Sequence, residues 1–487
     1  MTALPDAPFH AAAARRPLHA AIGAISLAVL TGCASLSAPA TADLPAIATP
    51  AQWRTAPAEA GSATALASWW QRFGDAELTA LITQALQANT SVRSAQASLQ
   101  QARAQRDAAQ AGLWPTLTGS GSGQRSKSGD AAASNRFQAG LDASWEPDLF
   151  GANRSTAQAS EADLAAAGTT LANAQVSLAA EVALGYIDLR GLQQRLAIAQ
   201  ASLAAQAETL QITRWRAQAG LAASLDVEQA LAAYEQTAAQ VPALQTSIGQ
   251  NLNALAVLTG QAPGALNERL ASAAPVPQAS ATLALAIPAE VLRQRPDVRT
   301  AEYRIGAALA RLDAAEADRY PSLRIGGSVG LSALTLSGLG SGATIANSLL
   351  ASISLPLFDG GTRRAQVQSQ EAALEAARVN YEAAVLTALQ DVEDALLALR
   401  GDQERLVRQQ RAQQAAANAD LLARQRYSSG LIDFRTVLDT QRTLLSAQDS
   451  VASTQASIAA DHVRLYKALG GGWNPEAATT TEPASTR

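Results

Sequence analysis

The side chains able to do chemistry are few and scattered. The 487-residue chain holds three histidines, His10, His19 and His462, and two of them fall in its first 20 residues. No His-Glu-x-x-His pair, phosphate-cradling glycine loop or nucleophile elbow appears. Asp391, Glu393 and Asp394 are close in sequence, but on a helix they radiate to different sides and read as a solvated or interhelical patch. Asp439 and Arg442 are spaced i, i+3, enough for an ion pair worth tenths of a kcal/mol on one helix. Cys33 is the single cysteine, so no intramolecular disulfide can form. A net charge of −4 provides no general basic field for nucleic acid. The residues therefore argue against an enzyme, with no metal site and no cofactor expected.

Cys33 has a distinctive setting. Arg15, Arg16 and His19 precede the apolar stretch from Ala20 to Leu30, a basic n-region and an h-region. Eleven residues are too few for a permanent span, which needs about 20. The stretch ends in Leu30-Thr31-Gly32-Cys33, which resembles a bacterial lipoprotein signal. The resemblance implies a signal peptide at 1–32 and a mature chain that starts at a lipid-modified Cys33, since several acyl chains anchor stably where one is marginal. Ala34 in place of Asp implies transfer to the outer membrane. No later run of about 18 apolar residues exists, so any crossing must use β-strands.

The elements beyond it come in two copies. VRSAQASLQQARAQRDAAQAGLWPTL from Val92 returns 206 residues later as VRTAEYRIGAALARLDAAEADRYPSL, and RAQAGLAASLDV from Arg216 faces RYSSGLIDFRTV at a shift of 210. A few residues are therefore inserted in the middle of the second copy. The reading gives an extended tether at 33–68, a first repeat at 69–262 with a hairpin at about 115–147, and a Pro-rich linker at 263–287. A second repeat follows at 288–474 with a hairpin at about 321–358, then a disordered tail at 475–487. Ala76 to Leu113 reads as one helix. Phe137 to Trp145, Leu323 to Leu331 and Leu349 to Leu357 alternate apolar with polar residues, as half-exposed strands do. Thr116 to Gln124 forms a weaker fourth. Their length of about ten residues suits a tilted membrane strand, and Gln138, Asp142 and Arg324 fall on the polar side, facing a lumen. Proline-free stretches from Ala152 to Ala219 and from Asp359 to Ser429 predict helices roughly 100 Å long. Gly220 and Gly430 mark reversals into further helices with heptad spacing: Val227, Tyr234, Val241, Ile248, Leu255 and Val437, Leu444, Val451, Ile458, Leu465. The other core position is polar in copy two (Gln441, Gln448, Gln455, His462), which predicts the looser coiled coil there. Pro242 predicts a kink in copy one.

Four strands cannot close a barrel and open edges are forbidden in lipid. Copies must associate, and three would give twelve strands around a water-filled lumen. The chain resembles the TolC-like outer membrane efflux family, in its OprM/NodT-type lipoprotein branch. The residues that carry the resemblance are LTGC with Cys33, WWQRFGDAEL from Trp69, SWEPDLFG from Ser144 and LPLFDGG from Leu355. QDVEDAL from Gln390, RYSSGL from Arg426, VLDTQR from Val437 and LYKALGGGW from Leu465 add to them. The resemblance implies a mainly α fold with a transmembrane β-barrel portion. In it, an internally duplicated protomer with long coiled-coil helices and two β-hairpins forms a homotrimer with a 12-strand β-barrel and a 12-helix α-barrel. It implies a passive duct in outer membrane lipid, lipid-anchored and extending into the periplasm, coupled through a periplasmic adaptor (membrane fusion) protein to an inner membrane RND-type pump, and it implies small-molecule cargo. It places Arg426, Tyr427, Asp439 and Arg442 at a periplasmic gate, with three Asp439 copies as an anionic constriction. Arg435 stands there where the branch usually carries an apolar residue. The turns Gly220-Leu221 and Gly430-Leu431 form the rim for adaptor contact. An exit duct of a type I protein secretion system and a non-conducting coiled-coil scaffold lipoprotein are the alternatives.

Overall fold

The computed structural model describes residues 44, 45, 47, 48, 50, 53, 54, 66–279, 291 and 294–473. The signal segment, Cys33 and the tail from 474 lie outside the described residues.

A 3-10 turn, Trp69–Phe73, leads into α1 (Ala76–Ala88) and α2 (Thr90–Ala111). The expected single helix is thus two. Asn89 breaks it: its side-chain oxygen accepts from the backbone N–H groups of Ser91 and Val92, and its amide donates to Leu258 O at 2.9 Å. This capping satisfies helix-start donors that have no partner of their own, and no Gly or Pro announces it in the sequence. Strands β1 (Thr116–Ser126) and β2 (Ser134–Trp145) follow, then α3 (Ala152–Gln218), α4 (Ser224–Ala238) and α5 (Gln240–Leu258). The second copy supplies α6 (Pro296–Ala317), β3 (Ser322–Ala333), the short α7 (Gly338–Ser341), β4 (Thr344–Ser354), α8 (Thr362–Ser428) and α9 (Phe434–Ala468). Helices α2 and α6 have 22 residues each at a shift of 206, and α3 and α8 have 67 each at a shift of 210. The shift changes between β3 and β4, so the extra residues sit in the second hairpin loop, where α7 forms.

The sheet order is β1-β2-β3-β4, antiparallel throughout, with β1 and β4 as edges. Register puts Leu117, Ala143, Gly327 and Leu349 in one row and Gly119, Leu141, Val329 and Asn347 in the next. Side chains alternate sides along a strand, so these rows share an apolar face, and Thr118, Asp142, Ser328 and Ser348 share the polar one. The strand expected over Leu349 to Leu357 is shifted: it starts at Thr344 and stops at Ser354. Leu355 and Leu357 lie beyond it, because Pro356 has no N–H to continue the ladder.

The core gathers distant segments. Trp69 stacks on Tyr466 (5.4 Å, 16°), with Phe73, Tyr186, Leu255 and Val463 around them. Gly472 N–H donates to Leu66 O, and a Cβ on Gly471 would stand 2.9 Å from Tyr466 O; the glycine run is small because two backbones meet there. The Pro-rich segment between the copies is packed where it is described: Leu266, Leu270 and Val276 belong to this core. The expected tether is also docked where it is described. Trp53 is buried against Val291, Val392 and Leu465, and Arg54 N–H donates to Glu393. Apolar burial holds both, each large side chain contributing about 1.5–3 kcal/mol.

Candidate functional site

Both long helices end alike. Gly220 (φ 72°) and Gly430 (φ 73°) adopt the left-handed conformation that glycine reaches without Cβ strain. Leu221 N–H donates to Arg216 O, and Leu431 N–H to Arg426 O; Gly220 and Gly430 donate to Ala217 O and Tyr427 O. These paired bonds are a Schellman closure. Its usual apolar contact is missing: Leu221 and Leu431 are 75% and 73% exposed, so each tip presents a bare leucine. Asp433 then caps α9, accepting from Thr436 N–H and Oγ1–H, and its carboxyl lies below the ordinary value because these bonds favour the charged form.

Behind the turns lies a small core of Leu210, Ala230, Ala233, Phe434 and Leu438. Tyr427 packs on Phe434 at 5.3 Å. The Arg216 guanidinium covers its ring at 4.5 Å and donates to its carbonyl at 3.1 Å. Tyr427 is therefore a half-buried tip residue, while Arg426 is exposed. Asp439 stands apart from this core on the exposed side of α9, between Arg435 and Arg442, each 4.0 Å away. The simple Asp439–Arg442 pair expected from spacing is in fact a triplet.

Three cross-links from α3 to α9 escape the sequence reading. Arg195 grips Asp449 through two bonds of 2.6 and 3.2 Å. Gln441 donates to Thr209 Oγ1 at 3.0 Å, and Gln194 donates to Gln455 at 3.3 Å. Two of the four polar seam positions of copy two, Gln441 and Gln455, are thus engaged by α3. His462 is buried and bonded through Nδ1 to Ile458 O. The alignment of RAQAGL with RYSSGL marked Arg216 as the counterpart of Arg426; nothing marked Arg195. The acidic trio disperses as expected: Asp391 binds Arg295, Glu393 binds Arg54 N–H and Asp394 binds Gln390. On the sheet, Gln138, Asp142 and Arg324 share the polar face. Asp142 accepts from Ser120 at 3.4 Å, and Arg324 lies 3.5 Å from Glu146.

A sheet with one apolar and one polar face, two open edges and helices of 67 residues defines a membrane-seated channel protomer with a long extension beyond the membrane. The family model for outer membrane efflux proteins matches residues 81–261 and again 287–471, and the chain belongs to that family. It is 33% identical over 466 residues to the outer membrane protein OprJ of Pseudomonas aeruginosa, covering 93% of this chain and 96% of the relative. It is 32% identical over 455 residues to the toluene efflux pump outer membrane protein TtgI of Pseudomonas putida, covering 88% and 94%. A solved structure of the outer-membrane channel OprN superposes with a TM-score of 0.81 at 36% identity, covering 89% of this chain and 99% of that one. The chain is the outer membrane channel component of a tripartite efflux system, extending into the periplasm. That removes the scaffold alternative. Members of the family act as trimeric channels with an adaptor and an inner membrane pump.

Proposed function

We propose that three copies of this chain form a passive, non-enzymatic duct for drugs or other small molecules, anchored through lipid on Cys33 and organised in the repeats delimited above. The observation that carries the reading is the sheet: its unpaired β1 and β4 edges cannot remain open in lipid, and pairing them between three protomers gives twelve strands with a lumen. The polar face with Gln138, Asp142 and Arg324 then lines water. The cargo is small molecules because a wall of Ser, Thr, Gly and Gln side chains leaves selection to the pump, and the relative in Pseudomonas putida is named for toluene efflux.

The leucine tips at Gly220-Leu221 and Gly430-Leu431 are the rim on which the adaptor sits, with an RND-type pump beneath it. The gate lies on the exposed side of α9 at Asp439, Arg442 and Arg435, with Arg426 beside it, and Tyr427 supports it from the tip core. Opening moves α9 away from α3 and breaks the Arg195–Asp449 and Gln441–Thr209 links. Single-channel conductance of the Asp439→Ala, Arg442→Ala double variant tests the gate. A rise over the unmodified protein is expected; an unchanged low conductance removes the assignment.

A further inference from the structure

We infer that the charged stripe on α9 makes the periplasmic mouth favour anions, and that Arg435 supplies the net positive charge of that stripe. The inference rests on the gate reading. At about 100° per residue, Arg435, Asp439 and Arg442 fall within about 60° of one another on one helix face. All three are well exposed, with side-chain exposures of 81%, 60% and 55%. Asp439 is the single acid of that group, and it has a guanidinium on either side.

The other acids close in sequence do not join the stripe. Asp433 lies about 160° round the helix and is engaged by Thr436. Further along the same face, Ser446 is neutral and Asp449 is matched by Arg195. Each chain therefore contributes one net positive charge here, two arginines against Asp439. Three chains place three net positive charges around one axis. Copy one adds nothing to the ring by homology: at the shift of 210 its counterparts of Arg435, Asp439 and Arg442 are Leu225, Gln229 and Ala232. Counting Asp439 alone predicts an anionic constriction; with both arginines counted the sign reverses. Without Arg435, Asp439 and Arg442 cancel within the stripe and only the exposed Arg426 beside it stays positive, so Arg435 supplies the stripe's own net charge. A ring of like charge in a narrow aqueous passage concentrates counter-ions there and repels ions of its own sign.

The test is the reversal potential of the full-length lipid-modified protein in a planar bilayer under a KCl gradient. The unmodified channel should pass chloride in preference to potassium. Arg435→Leu, which installs the copy-one residue, should lower the chloride-to-potassium permeability ratio by roughly threefold or more. Arg435→Lys should keep it and Asp439→Asn should raise it. A potassium-favouring unmodified channel, or a reversal potential that Arg435→Leu does not move, overturns the inference. The double variant of Asp439 and Arg442 separates the two failures. If its conductance rises while Arg435→Leu leaves selectivity unmoved, the charge inference alone falls. If its conductance stays low, the gate reading falls and takes this inference with it.

Discussion

Helices α4 and α5 and helix α9 descend from one ancestral element and meet different fates. In copy one the chain breaks at Ala239, three residues before Pro242, and the two pieces bury little beyond Ala230, Ala233, Thr237, Leu252, Leu255 and Ala256. In copy two α9 runs unbroken for 35 residues and buries residues along most of its length. The reason is position as well as sequence. Helix α9 packs on α8 and is also cross-linked to α3 by Arg195–Asp449 and Gln441–Thr209, so Asp449 and the Gln441 amide find partners there. Polar groups in a helix seam weaken it when unmatched and specify register when matched. The copy that looks weaker as a heptad is therefore the more firmly seated in the protomer.

The sharpest way to break this contrast is to move the proline. Position 452 corresponds to Pro242 at the shift of 210, and Ala452 is fully buried. Ala452→Pro removes a helix hydrogen bond and forces its ring against the preceding turn, at a cost of about 3 kcal/mol or more. A clear drop in the temperature at which the detergent-solubilised assembly dissociates is expected. Dissociation at the unmodified temperature would mean that the continuity of α9 does no work.

The tips should behave in the opposite way, alike in both copies. Gly220→Ala and Gly430→Ala each place a Cβ in the left-handed region, since φ is 72° and 73°, at about 1–2 kcal/mol apiece. Equal losses in the same dissociation assay are expected. Unequal losses would show that one turn carries a load the other does not.

The smallest expected effect concerns acid. Asp461 is 2% exposed, and burial pushes its carboxyl above the ordinary value of 3.8, with the 2.6 Å bond to Arg464 opposing the shift. A folded pKa above the unfolded one means that this group's share of stability is full below the unfolded value. That share is lost as pH rises through the folded value. Asp461→Asn, which copies the Asn251 of the first repeat, should flatten the pH dependence of dissociation across that window. A profile parallel to that of the unmodified protein would sink the assignment.

Much of the fold was legible because its signals are local and strong. Proline-free stretches marked α3 and α8, period-two alternation marked the strands, and repetition fixed their pairing into equivalent hairpins. The break at Asn89 was not legible, since it depends on Leu258 O arriving from a distant helix. The end of β4 at Ser354 was misread because the apolar alternation runs on past Pro356, where the ladder cannot. Of the tip residues, the Gly turns followed from chain chemistry. The packing of Tyr427 beneath Arg216 did not, because it joins the two copies through space.

The sequence by itself determined the duplication, the lengths of the helices, the two-faced strands and the glycine turns, for each follows from periodicity and backbone preference within a few residues. Only the tertiary structure decided which polar side chains are matched. Hydrogen-bond and ion partners lie up to hundreds of residues apart, as Arg195 and Asp449 do, and no local pattern brings such pairs together. A charge acts through everything within its reach, and reach is a property of the folded chain.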